Sequence, residues 1–235
     1  MAGADPLERL DPQARATLAE LVGVLTADPR APSSVREPGD AWRVHVADSL
    51  SALELDPLAS AGRIADVGSG AGLPGLVLAA ALPGAEVDLV ESVGRKCEFA
   101  RRAIELTGIE RARVVCERAE TWASAESPDG GREAYDAVTA RAVGRLATLA
   151  ELASPLLRED GVLVAWKGRR DSDEEAELER AAERLAMEPV EVRAVGPYAG
   201  SRHRHLHLLR KAGPTPEGLP RRPGMAKKRP MGTLV

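Results

Sequence analysis

The stretch Asp66-Val67-Gly68-Ser69-Gly70-Ala71-Gly72-Leu73-Pro74-Gly75 leaves this 235-residue chain few folds to choose from. Ahead of it, Ile64-Ala65-Asp66-Val67 predicts the end of a short buried strand, and behind it Leu76 to Leu82 predicts a helix. Strand, glycine turn and helix in that order form the first unit of a nucleotide-binding α/β sheet. Glycine is required because the backbone turns sharply and lies against a ligand, leaving no room for a Cβ. Pro74 falls where the helix begins, a position at which its missing N–H costs nothing and its fixed φ suits the first turn.

The glycines alone leave the ligand open. Gly68-x-Gly70-x-Gly72 resembles the loop of S-adenosylmethionine-dependent methyltransferases, while Gly70-x-Gly72-x-x-Gly75 also satisfies the dinucleotide pattern of an NAD-dependent oxidoreductase. Position favours the first reading. Asp66 ends the strand, and an acid there suits a ligand with a cationic amino-acid end, whereas it would repel a pyrophosphate. Glu91, at the end of the next strand (Ala85 to Val90), stands where either class holds ribose hydroxyls.

The rest of the chain predicts a sheet around that loop. Further short strands are expected at Arg113 to Cys116, Tyr135 to Thr139 and Gly161 to Trp166, with helices at 94–107 and 144–157 between them. Val190 to Val195 and Leu206 to Leu209 are joined by a turn and must pair antiparallel. Five parallel strands closed by such a hairpin make a seven-stranded mixed sheet, where a dehydrogenase more often ends on a sixth parallel strand. Pro12 to Ala27 is an amphipathic helix, with Leu18, Leu21, Val22 and Leu25 at i, i+3, i+4 and i+7. A second helix is expected from an Asp40 cap to about Leu55, with His45, Asp48 and Ser49 on one polar face. We therefore expect an N-terminal helical cap over 1–60 without a core of its own, a catalytic domain over 61–211 and a flexible basic tail over 212–235.

Charge sharpens the last boundary. The formal net charge is -4, yet nine bases stand against one acid, Glu217, after Ser201. A basic segment of this kind is the footprint of a protein that meets phosphates, or else a solvated terminus. The acidic run from Asp171 is expected to be a solvated helix face. Cys97 and Cys116 have no metal-ligand spacing and are expected to be reduced thiols. With no secretion signal or apolar span, the chain is expected in the cytoplasm, as a monomer, with no membrane and no metal.

Taken together, the motifs resemble those of the RsmG (GidB) family of bacterial 16S rRNA methyltransferases. The resemblance is carried by Ser34-Val35-Arg36-Glu37-Pro38, His45-Val46-Ala47-Asp48-Ser49, the glycine loop, Glu91-Ser92 with Arg95-Lys96, and Arg118-Ala119-Glu120. It continues through Arg141-Ala142, Lys167-Gly168, Arg204-His205-Leu206, Pro220-Arg221-Arg222-Pro223-Gly224 and Lys227-Lys228-Arg229-Pro230. It implies a class I, Rossmann-like fold and methyl transfer to the N7 of a guanine in the decoding region of the small ribosomal subunit, a modification that affects the response to aminoglycosides such as streptomycin. It further implies that Gly68, Leu73, Ala119, Glu120 and Arg141 contact S-adenosylmethionine and that Glu91 holds its ribose, with Asp66 and Gly70 completing the loop.

Guanine N7 carries a lone pair and no proton, so this transfer needs orientation and exclusion of water rather than a general base. The sequence agrees. Thr139-Ala140-Arg141-Ala142 stands where amino-methyltransferases carry Asn/Asp-Pro-Pro-aromatic, and neither cysteine is placed as a nucleophile. Arg141 is the first candidate for orienting the base, since its guanidinium can meet the O6 edge of guanine. His45, Asp48 and Lys167 follow.

Overall fold

In the computed structural model, residues 10–141 and 143–233 are described. Ala142, the second residue of the Arg141-Ala142 motif, and the outermost residues of the cap and tail lie outside them. Seven strands form one sheet: β1 (Arg63–Val67), β2 (Glu86–Val90), β3 (Ala112–Val115), β4 (Tyr135–Arg141), β5 (Leu157–Lys167), β6 (Met187–Ala194) and β7 (His205–Lys211). Their order is β3-β2-β1-β4-β5-β7-β6. The first five pair in parallel, and β7 runs antiparallel to both β5 and β6. Chain order reverses on either side of β1, so the carboxyl ends of β1 and β4 part at the switch point where such sheets hold ligands.

The expected mixed sheet is therefore present, with the hairpin at its edge. Its strands read as near-continuous apolar runs because helices cover both faces. On one face Ile64, Val87, Val164 and Leu208 pack with Leu18, Leu21, Leu50 and Leu58 of the N-terminal helices in a single apolar cluster. Each fully buried leucine contributes about 2 kcal/mol. The cap thus shares its core with the sheet.

Helix α1 (Pro12–Ala27) is capped by the Asp11 carboxylate, which accepts from Ala14 N at 2.9 Å. The next helical run begins at α2 (Pro38–Ala41), and its cap is Glu37 rather than Asp40. Pro38 occupies the first turn, so Glu37 accepts from Asp40 N at 2.7 Å while the Asp40 side chain turns to Arg43. A wider π-type turn follows over Trp42–Ala47, then α3 (Asp48–Leu50), a 3-10 turn over Ser51–Glu54, and α4 (Asp56–Ala59). Such turns re-aim side chains and cluster at functional sites. This one carries His45 and delivers Asp48.

The remaining helices are α5 (Gly75–Ala81), α6 (Gly94–Thr107), α7 (Ala119–Trp122), α8 (Leu146–Ala153), α9 (Ser172–Ala182) and α10 (Met225–Lys228). Helix α6 ends at Gly108, whose φ of 64° is the left-handed cap that glycine allows. Three expectations are corrected here. Helix α9 is not merely a solvated acidic face, because Glu174 and Glu177 are buried. Glu174 accepts from Leu146 N at 2.7 Å and Lys167 Nζ at 2.6 Å, and Glu177 pairs with Arg145 at 2.5 Å. Buried carboxylates persist when each is met by donors in this way. Cys97 on α6 and Cys116 just after β3 are joined as a disulfide, with Cα atoms 5.8 Å apart, because α6 packs directly on β3.

The third concerns the basic segment, expected to trail as a flexible tail. Leu219 and Ala226 are buried in it, and Arg221 makes a two-pronged pair with Glu151 at 2.6 and 2.5 Å. Further back, Lys211 is fully buried, its ammonium bonded to Thr215 Oγ1 at 2.7 Å, Leu157 O at 2.8 Å and Glu133 Oε1 at 3.0 Å. Part of the basic excess is thus spent on internal carboxylates, which keeps residues 212–233 against the domain. No described helix is long and apolar enough to cross a membrane.

Candidate active site

The glycine loop leaves β1 and folds back on itself. Gly68 N donates to Val90 O at 2.8 Å, and Gly72 N and Leu73 N donate to Ser69 O at 2.8 and 2.9 Å. Gly68, Gly70 and Gly72 hold φ of 70°, 59° and 83°, where a side chain is strained. At Gly68 there is also no space: a Cβ would lie 2.8 Å from Val143 Cγ2.

Asp66 lies behind this loop with both oxygens turned into the protein. Oδ2 accepts from Gly75 N and Oδ1 from Thr139 Oγ1, each at 2.9 Å, so the carboxylate ties the start of α5 to β4. Burial dominates its acidity and pushes the acid up to about 6, against the pull of Gly75, Thr139 and the nearby Arg141 charge. Between about pH 4 and pH 6 the folded chain therefore binds more protons at Asp66 than the unfolded chain. Ionisation of this group costs the fold about 3 kcal/mol once the pH exceeds both values. An asparagine keeps both contacts, accepting from Gly75 and donating to Thr139. Asp66→Asn is expected to be at least as stable as the parent at pH 7 and to lose that dependence, read by denaturant unfolding across this pH range.

A cavity of about 550 Å³ opens beside the loop. Gly68, Glu91, Ala119 and Glu120 line it with Val67, Val93, Val143 and Leu152. Glu91 follows β2; its Oε2 accepts from Gly70 N at 3.1 Å, its Oε1 from Val93 N at 2.9 Å, and Lys96 Nζ lies 3.6 Å away. Of the other residues expected to bind cofactor, Gly70 borders Glu91 and Leu73 is buried in the apolar cluster beneath the loop. Glu120 is met from an unexpected direction: its Oε1 accepts from Gly224 N at 2.6 Å. Gly224, Ala226, Lys227 and Lys228 also line it, as do the charged Lys96, Glu117 and Arg118. The sequence assigned the first four to a tail, although the Pro-Arg-Arg-Pro-Gly and Lys-Lys-Arg-Pro runs, part of the family resemblance, were a signal that more than net charge was at work.

This cavity fits S-adenosylmethionine. Its volume is that of a small-molecule site. The glycine backbone admits close approach, the Glu91 carboxylate can take ribose hydroxyls, and Val93, Ala119 and Leu152 offer apolar walls to a ring. The Ser69 hydroxyl is buried in the loop without a partner among the described residues.

A second, smaller cleft of about 190 Å³ lies next to it, lined by Asp48, Arg141, Trp166, Lys167 and Arg204, with Gly144 and Leu149. Only the turn after β4 and the first turn of α8 separate the two: Val143 and Thr148 face the cavity, Gly144 and Leu149 the cleft. Arg141 Nη1 donates to Asp48 Oδ2 at 3.2 Å and to Val44 O at 3.3 Å. Arg204 Nε lies 3.8 Å from Asp48 Oδ1, and Trp166 Nε1 donates to Asp48 O at 2.9 Å. Lys167 Nζ is held by Glu174 and, at 2.9 Å, by Gly144 O. The expected group is thus brought together at Asp48, Arg141 and Lys167. His45 stands apart from the cleft wall, its Nε2 2.9 Å from Ser33 Oγ. Burial and then the Arg141 charge hold its pKa below the ordinary histidine value, which favours the neutral ring at pH 7. Trp166 and Glu174 were not expected; the alternation of β5 could have placed Trp166, but a long-range partner such as Glu174 has no local signature.

A parallel sheet closed by an antiparallel edge hairpin, a glycine loop after β1 and an acid after β2 define a class I S-adenosylmethionine-dependent methyltransferase. Solved structures of that class share the fold. The predicted O-methyltransferase Atu636 from Agrobacterium tumefaciens is 28% identical with a TM-score of 0.55, covering 71% of this chain and 81% of that one. The fibrillarin pre-rRNA processing protein of Methanococcus jannaschii, 15% identical, has a TM-score of 0.54 and covers 71% of this chain and 74% of that one. The family described as rRNA small subunit methyltransferase G (GidB) matches residues 30–207, and this chain belongs to it. Ribosomal RNA small subunit methyltransferase G of Rubrobacter xylanophilus is 43% identical over 199 residues, covering 83% of this chain and 75% of the relative. The Pelotomaculum thermopropionicum protein of the same name is 40% identical over 188 residues, 80% of this chain and 77% of the relative. The oxidoreductase alternative finds no support in either comparison.

Proposed function

We propose that this chain transfers the methyl group of S-adenosylmethionine to the N7 of a guanine in the decoding region of 16S rRNA, acting on the small ribosomal subunit as a cytoplasmic monomer. The observation that carries this reading is the basic cleft, with Arg141, Lys167 and Arg204, set one turn of chain away from the cofactor-sized cavity. When bound, the cofactor supplies an electrophilic methyl group on a sulfonium sulfur. The chain's own work is to hold, orient and exclude water. Gly68 and Glu91 hold the cofactor. Arg141, Arg204 and Lys167 meet phosphate or the guanine O6, and Trp166 gives the cleft an apolar wall. Methylation at N7 leaves the purine ring cationic, and Asp48, the carboxylate lining the cleft, stabilises that developing charge in this scheme.

No residue in this scheme accepts a proton, and the neutral ring of His45 is already favoured at pH 7. The single-turnover rate is therefore expected to stay flat from about pH 7 to pH 9. A slope of one unit over that range would point to a general base and contradict the scheme. The reading itself is tested by transfer of labelled methyl to small subunits that lack the modification, compared with large subunits under the same conditions. Label confined to the small subunit is expected; equal or no labelling would sink the substrate assignment.

A further inference from the structure

The segment from Leu219 to Arg229 crosses the mouth of the cofactor cavity, and nothing in the chemistry of an RNA-binding tail requires it to do so. Its inner side is built into the site. Gly224, with φ of 84°, points its N–H to Glu120 Oε1 at 2.6 Å, and Ala226 O accepts from Thr148 Oγ1 at 3.2 Å on α8. Gly224 and Ala226 line the cavity from this side, opposite Val67, Val90 and Ala119.

Both flanks of this crossing are fastened. Before it, Leu219 sits in the apolar cluster and its carbonyl accepts from Arg132 Nη1 at 3.2 Å. Arg221 grips Glu151, itself 3% exposed, and also donates to Arg229 O at 2.8 Å, closing a small ring of chain around α10. Beyond it, Gly232 O accepts from Arg180 Nε at 2.8 Å and Thr233 Oγ1 donates to Glu177 Oε1 at 2.7 Å. A bidentate arginine on a buried carboxylate is among the strongest ties a surface segment can have. Arg222 and Arg229 lie outside the cavity lining and Lys227 and Lys228 within it, and none of the four side chains has an acidic partner among the described residues.

We propose that residues 219–229 are a strap forming part of the cofactor site, and that what it covers is the nucleoside end of the ligand. The strap presents backbone and small side chains at Gly224 and Ala226, and the facing wall is Val67, Val90, Val93, Ala119 and Leu152. Where the strap faces these residues the wall is apolar, and the Glu91 and Glu120 carboxylates stand beside it, a lining that suits a flat, hydroxyl-bearing adenosine, while Lys96, Arg118, Lys227 and Lys228 supply the charged part of the cavity. The Glu151–Arg221 pair is then a positioning contact, acting on the ligand through the strap. The proposal rests on the cofactor assignment and is independent of the RNA target, because its test reads cofactor binding alone.

Two measurements test it. In the wild-type chain, S-adenosylhomocysteine and 5′-methylthioadenosine are each expected to protect the strap from trypsin at Arg222, Lys227 and Lys228. In the E151Q/R221Q variant, which removes the grip without leaving a buried charge unpaired, both ligands are expected to bind about tenfold more weakly by calorimetry. Restoring charge in the swapped pair E151R/R221E is expected to recover part of the loss. Loss of affinity for S-adenosylhomocysteine with none for 5′-methylthioadenosine would overturn the proposal, because the strap would then meet the amino-acid end. Unchanged affinities with no protection in the wild type would overturn it too. Should the variants fail to fold, the wild-type protection pattern decides by itself.

Discussion

Replacing Gly68 with valine is expected to weaken cofactor binding by about a hundredfold or more while leaving the sheet folded. At φ of 70° a β-branched residue is strained, and even its Cβ would lie 2.8 Å from Val143 Cγ2, whose backbone forms the turn between cavity and cleft. The strain alone is worth about 2 kcal/mol, and the displaced turn adds to it, so affinity should fall by about a hundredfold or more. Calorimetric titration with S-adenosylhomocysteine reads this directly. Gly68→Ala should fall between the two. Wild-type affinity in the valine variant would mean that the loop does not pack on the ligand as its geometry implies. The unfolding midpoint provides the control, because the loop is held at Val90 O and Ser69 O by backbone bonds that the substitution leaves in place.

The second large effect is expected at Arg141. Arg141→Met keeps the length of the side chain and its apolar stem but removes the guanidinium that meets Asp48 at 3.2 Å. Asp48, 5% exposed, would be left with Arg204 Nε at 3.8 Å as its remaining cation. Loss of a partly buried, charge-assisted contact in a catalytic cleft typically removes about 2–4 kcal/mol of transition-state stabilisation, or about two to three powers of ten in turnover. We expect that loss in methyl transfer, with the affinity for S-adenosylhomocysteine changed far less, because Arg141 lines the cleft rather than the cavity. Comparable losses in both would move Arg141 into the cofactor site, as the family resemblance implied. Arg141→Lys separates charge from shape: rescue by lysine would indicate a phosphate contact, and failure a two-pronged one.

How far the sequence could be read follows from the range of each signal. The glycine loop, the acid after β2 and the edge hairpin are local patterns, and each stands where its spacing put it. Which way a side chain turns at the end of a strand is not local. Asp66 sits in the expected place yet faces Gly75 and Thr139, 9 and 73 residues along the chain, rather than the ligand. Charge runs mislead for the same reason. The bases after Ser201 were read as a phosphate-meeting or solvated segment and the acids of α9 as a solvated face, but several of each meet partners from distant elements: Arg221 with Glu151, Glu177 with Thr233 and Arg145, Glu174 with Lys167. Net charge cannot distinguish a cation paired inside the domain from one free to meet phosphate. The helical run over 38–54 illustrates a third limit, since a single widened turn at Trp42–Ala47 shifts which side chains share a face: His45 Nε2 meets Ser33 Oγ while Asp48 meets Arg141.

In the proposed scheme the methyl donor and the target lie on opposite sides of the turn at 143–149, and catalysis by orientation depends on that short separation. The central claim is therefore the identity of the methylated atom. The direct measurement is to incubate small ribosomal subunits lacking the modification with the purified chain and S-adenosylmethionine, and then map N7-methylguanine by strand scission of the 16S rRNA. A single cleavage at one guanine in the decoding region is the predicted result. Methyl incorporation without scission would place the group on another atom, and no incorporation despite tight cofactor binding would leave the fold standing and the proposed reaction contradicted.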